Sequence, residues 1–118
     1  MTTFRSKKAQ DVYDSYRERG GLDLCPMCNE KPLEQFKLWK IMPCAFPYDR
    51  IASSHDMLVP NRHVKEAELT PEELREFVEL KNAVLNGRYD YFLESTDRTK
   101  SVPGHFHVHL IVVIEDFD

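Results

Sequence analysis

Apolar positions follow a helical period at the start of the chain. Ala9, Val12, Tyr13 and Tyr16 recur at i, i+3, i+4 and i+7, and Gly20-Gly21 close the segment, which predicts a helix over residues 4–18. "FKLWKIM", residues 36–42, is short and aromatic and predicts a strand. "PCAFPYD" carries two prolines and so predicts loop or edge strand. "SHDMLVP", residues 54–60, predicts a strand with His55, Met57 and Val59 on one face. "LTPEELREFVELKNAVLNG" then returns to the helical period. Thr70 is the expected N-cap, Pro71 the first helical residue and Glu73 its capping-box partner, with Leu69 placed to staple onto Leu74. Leu74, Phe77, Val78, Val84 and Leu85 form the expected buried stripe, and Asn86-Gly87 end it. "YDYFLES", residues 89–95, predicts a strand, "TDRTKSVPG" a polar loop, and "GHFHVHLIVV" a last strand. Helix, strands, helix, strands is the order of an α+β domain around an antiparallel sheet.

Composition narrows the classes. At 118 residues the length predicts one domain. Sixteen basic and 20 acidic residues give a net charge of −4, which argues against an extended nucleic-acid surface but permits a small phosphate pocket. No apolar run approaches the roughly 20 residues of a membrane span, and the charged N-terminus lacks the apolar stretch of a signal peptide. The expectation is a cytoplasmic protein. Three cysteines in a reducing compartment do not make a disulfide framework.

Two motifs carry candidate chemistry. "CPMC" sets Cys25 and Cys28 two residues apart, a knuckle that can grip a tetrahedral ion or form a redox disulfide. A zinc site needs two further ligands, and without a second such pair these must be histidines. "HFHVH" puts His105, His107 and His109 on alternate residues. On a strand all three share one face, about 6.5–7 Å apart, while Phe106, Val108 and Leu110 face a core. Histidine serves as metal ligand, general acid or base, or nucleophile, so three at a strict period of two mark a candidate site, beside the plainer readings of a His-rich metal patch or a chance polar face. His55 and His63, in "HDMLVPNRHV", are the natural partners of both motifs.

Together these residues resemble the histidine triad (HIT) superfamily of nucleotide hydrolases and transferases. "HFHVHLI" fits the family's alternating signature at every position, and "AFPYDRIASSHDMLVPNRHV", residues 45–64, is similar to its upstream segment with one residue fewer between Phe46 and His55. A zinc-binding branch also carries a Cys-x-x-Cys near its N-terminus. The resemblance covers roughly residues 22–113. It implies a single HIT-like domain, with residues 1–21 as an N-terminal helical extension and 22–118 as the core. The implied architecture is an antiparallel sheet of about five strands, a long packed helix and an extra N-terminal helix. It further implies His107 as a nucleophile on the α-phosphorus of a nucleotide, making a nucleotidyl-histidine intermediate. His109 would donate to phosphate oxygens, and His55 would hold the triad polarised. Cys25, Cys28, His63 and His105 would form a closed structural zinc site. Asp49 would contact the ribose, Ser101 the phosphate or leaving group, and the protein would pair as a homodimer.

The sequence departs from that pattern before the triad. The family's glycine-rich phosphate segment reads "ESTDRTKSVPG" here, with Glu94 about where an asparagine stands. Two alternatives therefore stand beside the enzyme reading. One is a non-catalytic nucleotide-binding or protein-interaction module that keeps the fold and the zinc. The other is a metal sensor or store using both motifs as ligands.

Overall fold

The computed structural model describes residues 4–20, 25–96, 98 and 104–115. The fold is α+β: a five-stranded antiparallel sheet with helices packed on it. Helix α1 spans Lys7–Glu18 and a one-turn helix α2 spans Pro26–Asn29. Strands β1 (Glu34–Gln35), β2 (Trp39–Pro43) and β3 (Ala52–Pro60) precede helix α3 (Pro71–Ala83). Strands β4 (Tyr91–Leu93) and β5 (Val108–Val113) follow it. The spatial order is β1-β2-β3-β5-β4, so β5 lies between β3 and β4.

The register assigns side chains to the two faces. Ile41 opposes Leu58 and Asp56 opposes Leu110; Met42 opposes Met57, which in turn opposes His109. One face carries Trp39, Ile41, Leu58, Phe106, Val108 and Leu110, and these pack with Leu80 and Leu85 as the main core. The other face carries Met42, Met57, Val59 and the histidines. Met27, from α2, joins Met42 and Val59 there in a smaller cluster. Pleat alternation thus separates a dry core from a polar-lined face within the same strands.

Helix α3 begins as expected. Thr70 Oγ1 accepts from Glu73 N–H at 3.1 Å, and the Glu73 carboxylate accepts from Thr70 N–H at 2.9 Å. Its buried stripe differs from the expected one. Leu74 is 46% exposed and Val78 56%, whereas Glu73 and Leu80 are buried. Phe77 and Val84 do pack against the core and Leu85 is in it, after a break into a short 3-10 turn at Leu85–Gly87. Leu69 packs against the core. Glu73 is tolerated inside because Arg62 meets it with two hydrogen bonds, of 2.7 and 3.1 Å, and Thr70 supplies a third.

Other boundaries shift for local reasons. The expected strand over 36–42 is the return of a hairpin: Phe36 N–H donates to the Trp39 carbonyl, so 36–38 turn and β2 starts at Trp39. The segment expected at 89–95 pairs with β5 only over Tyr91–Leu93. Helix α1 starts at Lys7 because Ser6 is its N-cap, its Oγ accepting from Ala9 N–H. Tyr13 is buried on that helix, but Val12 is exposed. No helix among the described residues is long and apolar enough to cross a membrane.

Candidate functional site

His105 and His107 precede β5, and only His109 lies in it. The alternation nevertheless holds: Phe106 and Val108 enter the core, while the three histidines stay buried on the opposite side. The three do not share one environment, because the chain diverges from the sheet between His109 and His105.

His105 joins the knuckle. Its Nδ1 lies 3.4 Å from Cys25 Sγ and 3.5 Å from Cys28 Sγ, and His63 Nδ1 lies 3.2 Å from Cys28 Sγ. All four donor atoms fall within 4.8 Å of one another. A tetrahedral zinc with nitrogen and sulfur ligands has donor–donor edges of about 3.3–3.8 Å. The donor set therefore fits one metal ion. The outer contacts fit as well. His105 Nε2 sits 3.0 Å from the Pro60 carbonyl, which can only accept, so Nε2 carries the proton and Nδ1 keeps its lone pair toward the sulfurs. Among the described residues this is the one such cluster of potential ligands.

Distant elements hold these ligands in place. The Phe106 N–H donates to the Val64 carbonyl at 2.7 Å, which ties the segment of His105 to that of His63. Asn61 is anchored to Leu38 and Lys37, and Arg62 to Glu73 at the start of α3. Gly104 closes the site from one side: a Cβ there would meet His63 Nε2 at 3.3 Å. Met27 plugs the knuckle into the smaller apolar cluster.

His107 and His109 line a separate pocket of about 70 Å³, open to solvent on one side. Its walls include Met42, Met57, Phe46 and Tyr48, with Tyr13 and Tyr16 supplied by α1. The proton positions follow from the partners. His107 Nδ1 lies 3.0 Å from the His105 carbonyl, so Nδ1 carries the proton and the lone pair is on Nε2. Tyr48 N–H donates to His55 Nδ1 at 3.0 Å, so His55 is protonated on Nε2 and donates to His109 Nδ1 at 2.8 Å. His109 then carries its proton on Nε2, 3.2 Å from Tyr48 Oη. One tyrosine therefore closes the chain at both ends. Burial, with the Arg5 guanidinium and His107 nearby, lowers His55 to about 4; burial, then His107, His55 and Arg5, drives His109 far below the usual range. Both are neutral at physiological pH.

The other expected site residues have specific surroundings. Asp49 accepts from both the backbone N–H and the hydroxyl of Ser6 at 2.6 Å, so it anchors the cap of α1. Ser101 lies outside the described residues. Cys44 lines the pocket, and burial pushes its thiol up to about 11, so it stays protonated. Sequence reasoning missed Tyr48, Arg5 and the aromatic contribution of α1. Tyr48 sits inside the segment that carries the resemblance, yet no spacing rule marks a residue whose backbone and hydroxyl serve two histidines at once.

The site thus combines one cluster able to hold a metal ion with one pocket lined by His107 and His109, each oriented by a hydrogen-bonded partner. No family model matches the chain, and no curated protein matches it.

Proposed function

We propose that the protein is a nucleotide-binding module of histidine triad type, with residues 1–21 as a helical extension. One structural zinc on Cys25, Cys28, His63 and His105 would stabilise it. The observation that carries this reading is the back-to-back placement of two sites on one segment, with His105 in the donor cluster and His107 in the pocket. Four protein ligands leave no open coordination position, so the metal would tie the knuckle to the pocket segment without entering a reaction. Metal content by plasma emission and nucleoside monophosphate binding by calorimetry test it. One zinc per chain with saturable binding is expected; a protein with neither would sink the reading.

A second reading adds catalysis, favoured by the His107–His105 hydrogen bond. A neutral imidazole with its lone pair on Nε2 is a competent nucleophile at pH 7. Attack by Nε2 on the α-phosphorus forms a P–N bond as the bond to the leaving group breaks; water or another acceptor then attacks phosphorus and returns the imidazole. His55 would hold His109 in the tautomer whose Nε2–H turns from Tyr48 Oη to a phosphate oxygen. A ribose contact by Asp49 would require its release from Ser6. The test substrates are a fluorogenic adenosine phosphoramidate and diadenosine polyphosphates, beside His107→Ala. Turnover lost by about 10³-fold or more in the variant is expected; binding without any wild-type turnover leaves the non-catalytic module as the function.

Pairing as a homodimer belongs to the same proposal, with the exposed Leu74 and Val78 of α3 as the contact face. Sedimentation of wild type beside Val78→Glu checks it, with a monomeric wild type as the adverse result.

A further inference from the structure

Arg5 is the unabsorbed feature of the pocket. It belongs to the N-terminal extension, yet it is only 8% exposed and lines the pocket together with His107 and His109. Its guanidinium carbon lies 4.4 Å from the ring centroid of Tyr13 and 5.0 Å from that of Tyr48. Its Nε–H donates to the Phe46 carbonyl at 2.8 Å, and Nη1 reaches Gln10 Oε1 at a long 3.4 Å. Nη2 has no hydrogen-bond partner among the described residues. Every fully enclosed side-chain nitrogen or oxygen there is partnered, so Nη2 has access to open space.

The charge balance is equally incomplete. None of the described ion pairs includes Arg5. Glu30 also lines the pocket, and Asp49 is committed to Ser6. Sequestering a guanidinium without a carboxylate is costly, and two aromatic faces offset only part of that cost. An anionic oxygen would complete the arrangement, because guanidinium presents parallel N–H donors that match phosphate.

We propose that Arg5 is a ligand-binding residue that receives an anionic phosphate oxygen in the pocket of His107 and His109. The inference rests on the nucleotide-binding reading and adds a specific anchor to it. Helix α1 then has a role beyond packing: through Ser6–Asp49, Phe46 and Tyr13 it holds a cation in the wall of the pocket of His107 and His109.

The experiment is calorimetry of full-length wild type, Arg5→Met, Arg5→Lys and Gln10→Ala against adenosine 5′-monophosphate and adenosine. Circular dichroism and melting confirm the fold of each. For the monophosphate, Arg5→Met is expected to lose about tenfold in affinity and Arg5→Lys about threefold, because lysine keeps the charge without the fork. Gln10→Ala, which removes a neighbour but not the cation, is expected to stay within about twofold. Adenosine affinity is expected to stay within about twofold throughout. Equal losses for both ligands make Arg5 a structural tether and overturn the proposal, as does an unchanged monophosphate affinity in Arg5→Met. Should Arg5→Met not fold, Arg5→Lys decides on the same criterion. A wild type that binds neither ligand defeats the nucleotide-binding reading itself, a different outcome from a wild type that binds both equally.

Discussion

His105 and His109 stand on the same side of one segment and are both buried, yet they are held in opposite ways. His105 has one nitrogen on a backbone carbonyl and presents the other to two thiols. His109 has both nitrogens engaged, by His55 and by Tyr48. The first arrangement leaves a lone pair for a cation. The second passes a fixed proton order through a neutral, buried chain. Burial alone therefore does not assign a role to a histidine; the group on the far nitrogen does.

The largest expected effect separates the two neighbourhoods directly. Cys25→Ser should abolish zinc binding and lower unfolding stability by about 3 kcal/mol or more, since ligand binding and folding are coupled. The His55–His109 pair should remain neutral in that variant, by imidazole ¹⁵N shifts. Equal zinc content and melting temperature in both proteins would remove the metal half of the comparison.

A smaller effect belongs to the buried pair. In the folded state His55 stays neutral until the pH nears about 4, whereas an ordinary histidine takes up a proton near 6.5. Between those values the unfolded chain binds more protons, so stability rises with pH in this window and is lost as the pH falls. His109 is shifted in the same direction. His55→Gln should cost about 1–3 kcal/mol at pH 7 and flatten the decline between 6.5 and 4. Because other groups titrate in the same range, the informative quantity is the difference between the two stability curves. Parallel curves would mean that the pair is not held neutral.

The smallest expected effect concerns one contact. Gly104→Ala would place a Cβ 3.3 Å from His63 Nε2. A loss of about 1 kcal/mol is expected, with weaker zinc retention under chelator competition and unchanged imidazole shifts for His55 and His109. A simultaneous change in those shifts would show that the two neighbourhoods are coupled through the segment.

Much of this arrangement was legible in the sequence. The capping box of α3 is local, so Thr70 and Glu73 could be read directly. The alternation through "HFHVHLI" divided the core face from the histidine face, the arithmetic of two cysteines needing two histidines gave the donor types, and the family resemblance pointed to His63 and His105, which the fold brings to the cysteines. Other features were not legible. Leu74 and Val78 satisfy the helical period but face outward, because the sheet meets α3 on the side of Phe77 and Leu80. The charge of Glu73 is buried because Arg62, from another segment, reaches it. Arg5 is placed by its contact with Phe46, against which α1 packs through Tyr13 and Tyr16, and Tyr48 by the histidines it meets across the sheet.

The sequence by itself determined the period of the main elements, the shared side of the closing segment on which His105, His107 and His109 lie, and the donor types available for a metal. Tertiary structure alone decided which nitrogen of His55, His105, His107 and His109 carries the proton. That choice rests with the Pro60 and His105 carbonyls and the Tyr48 amide. Those groups are set by chain packing, and a residue's identity does not encode its imidazole's tautomer.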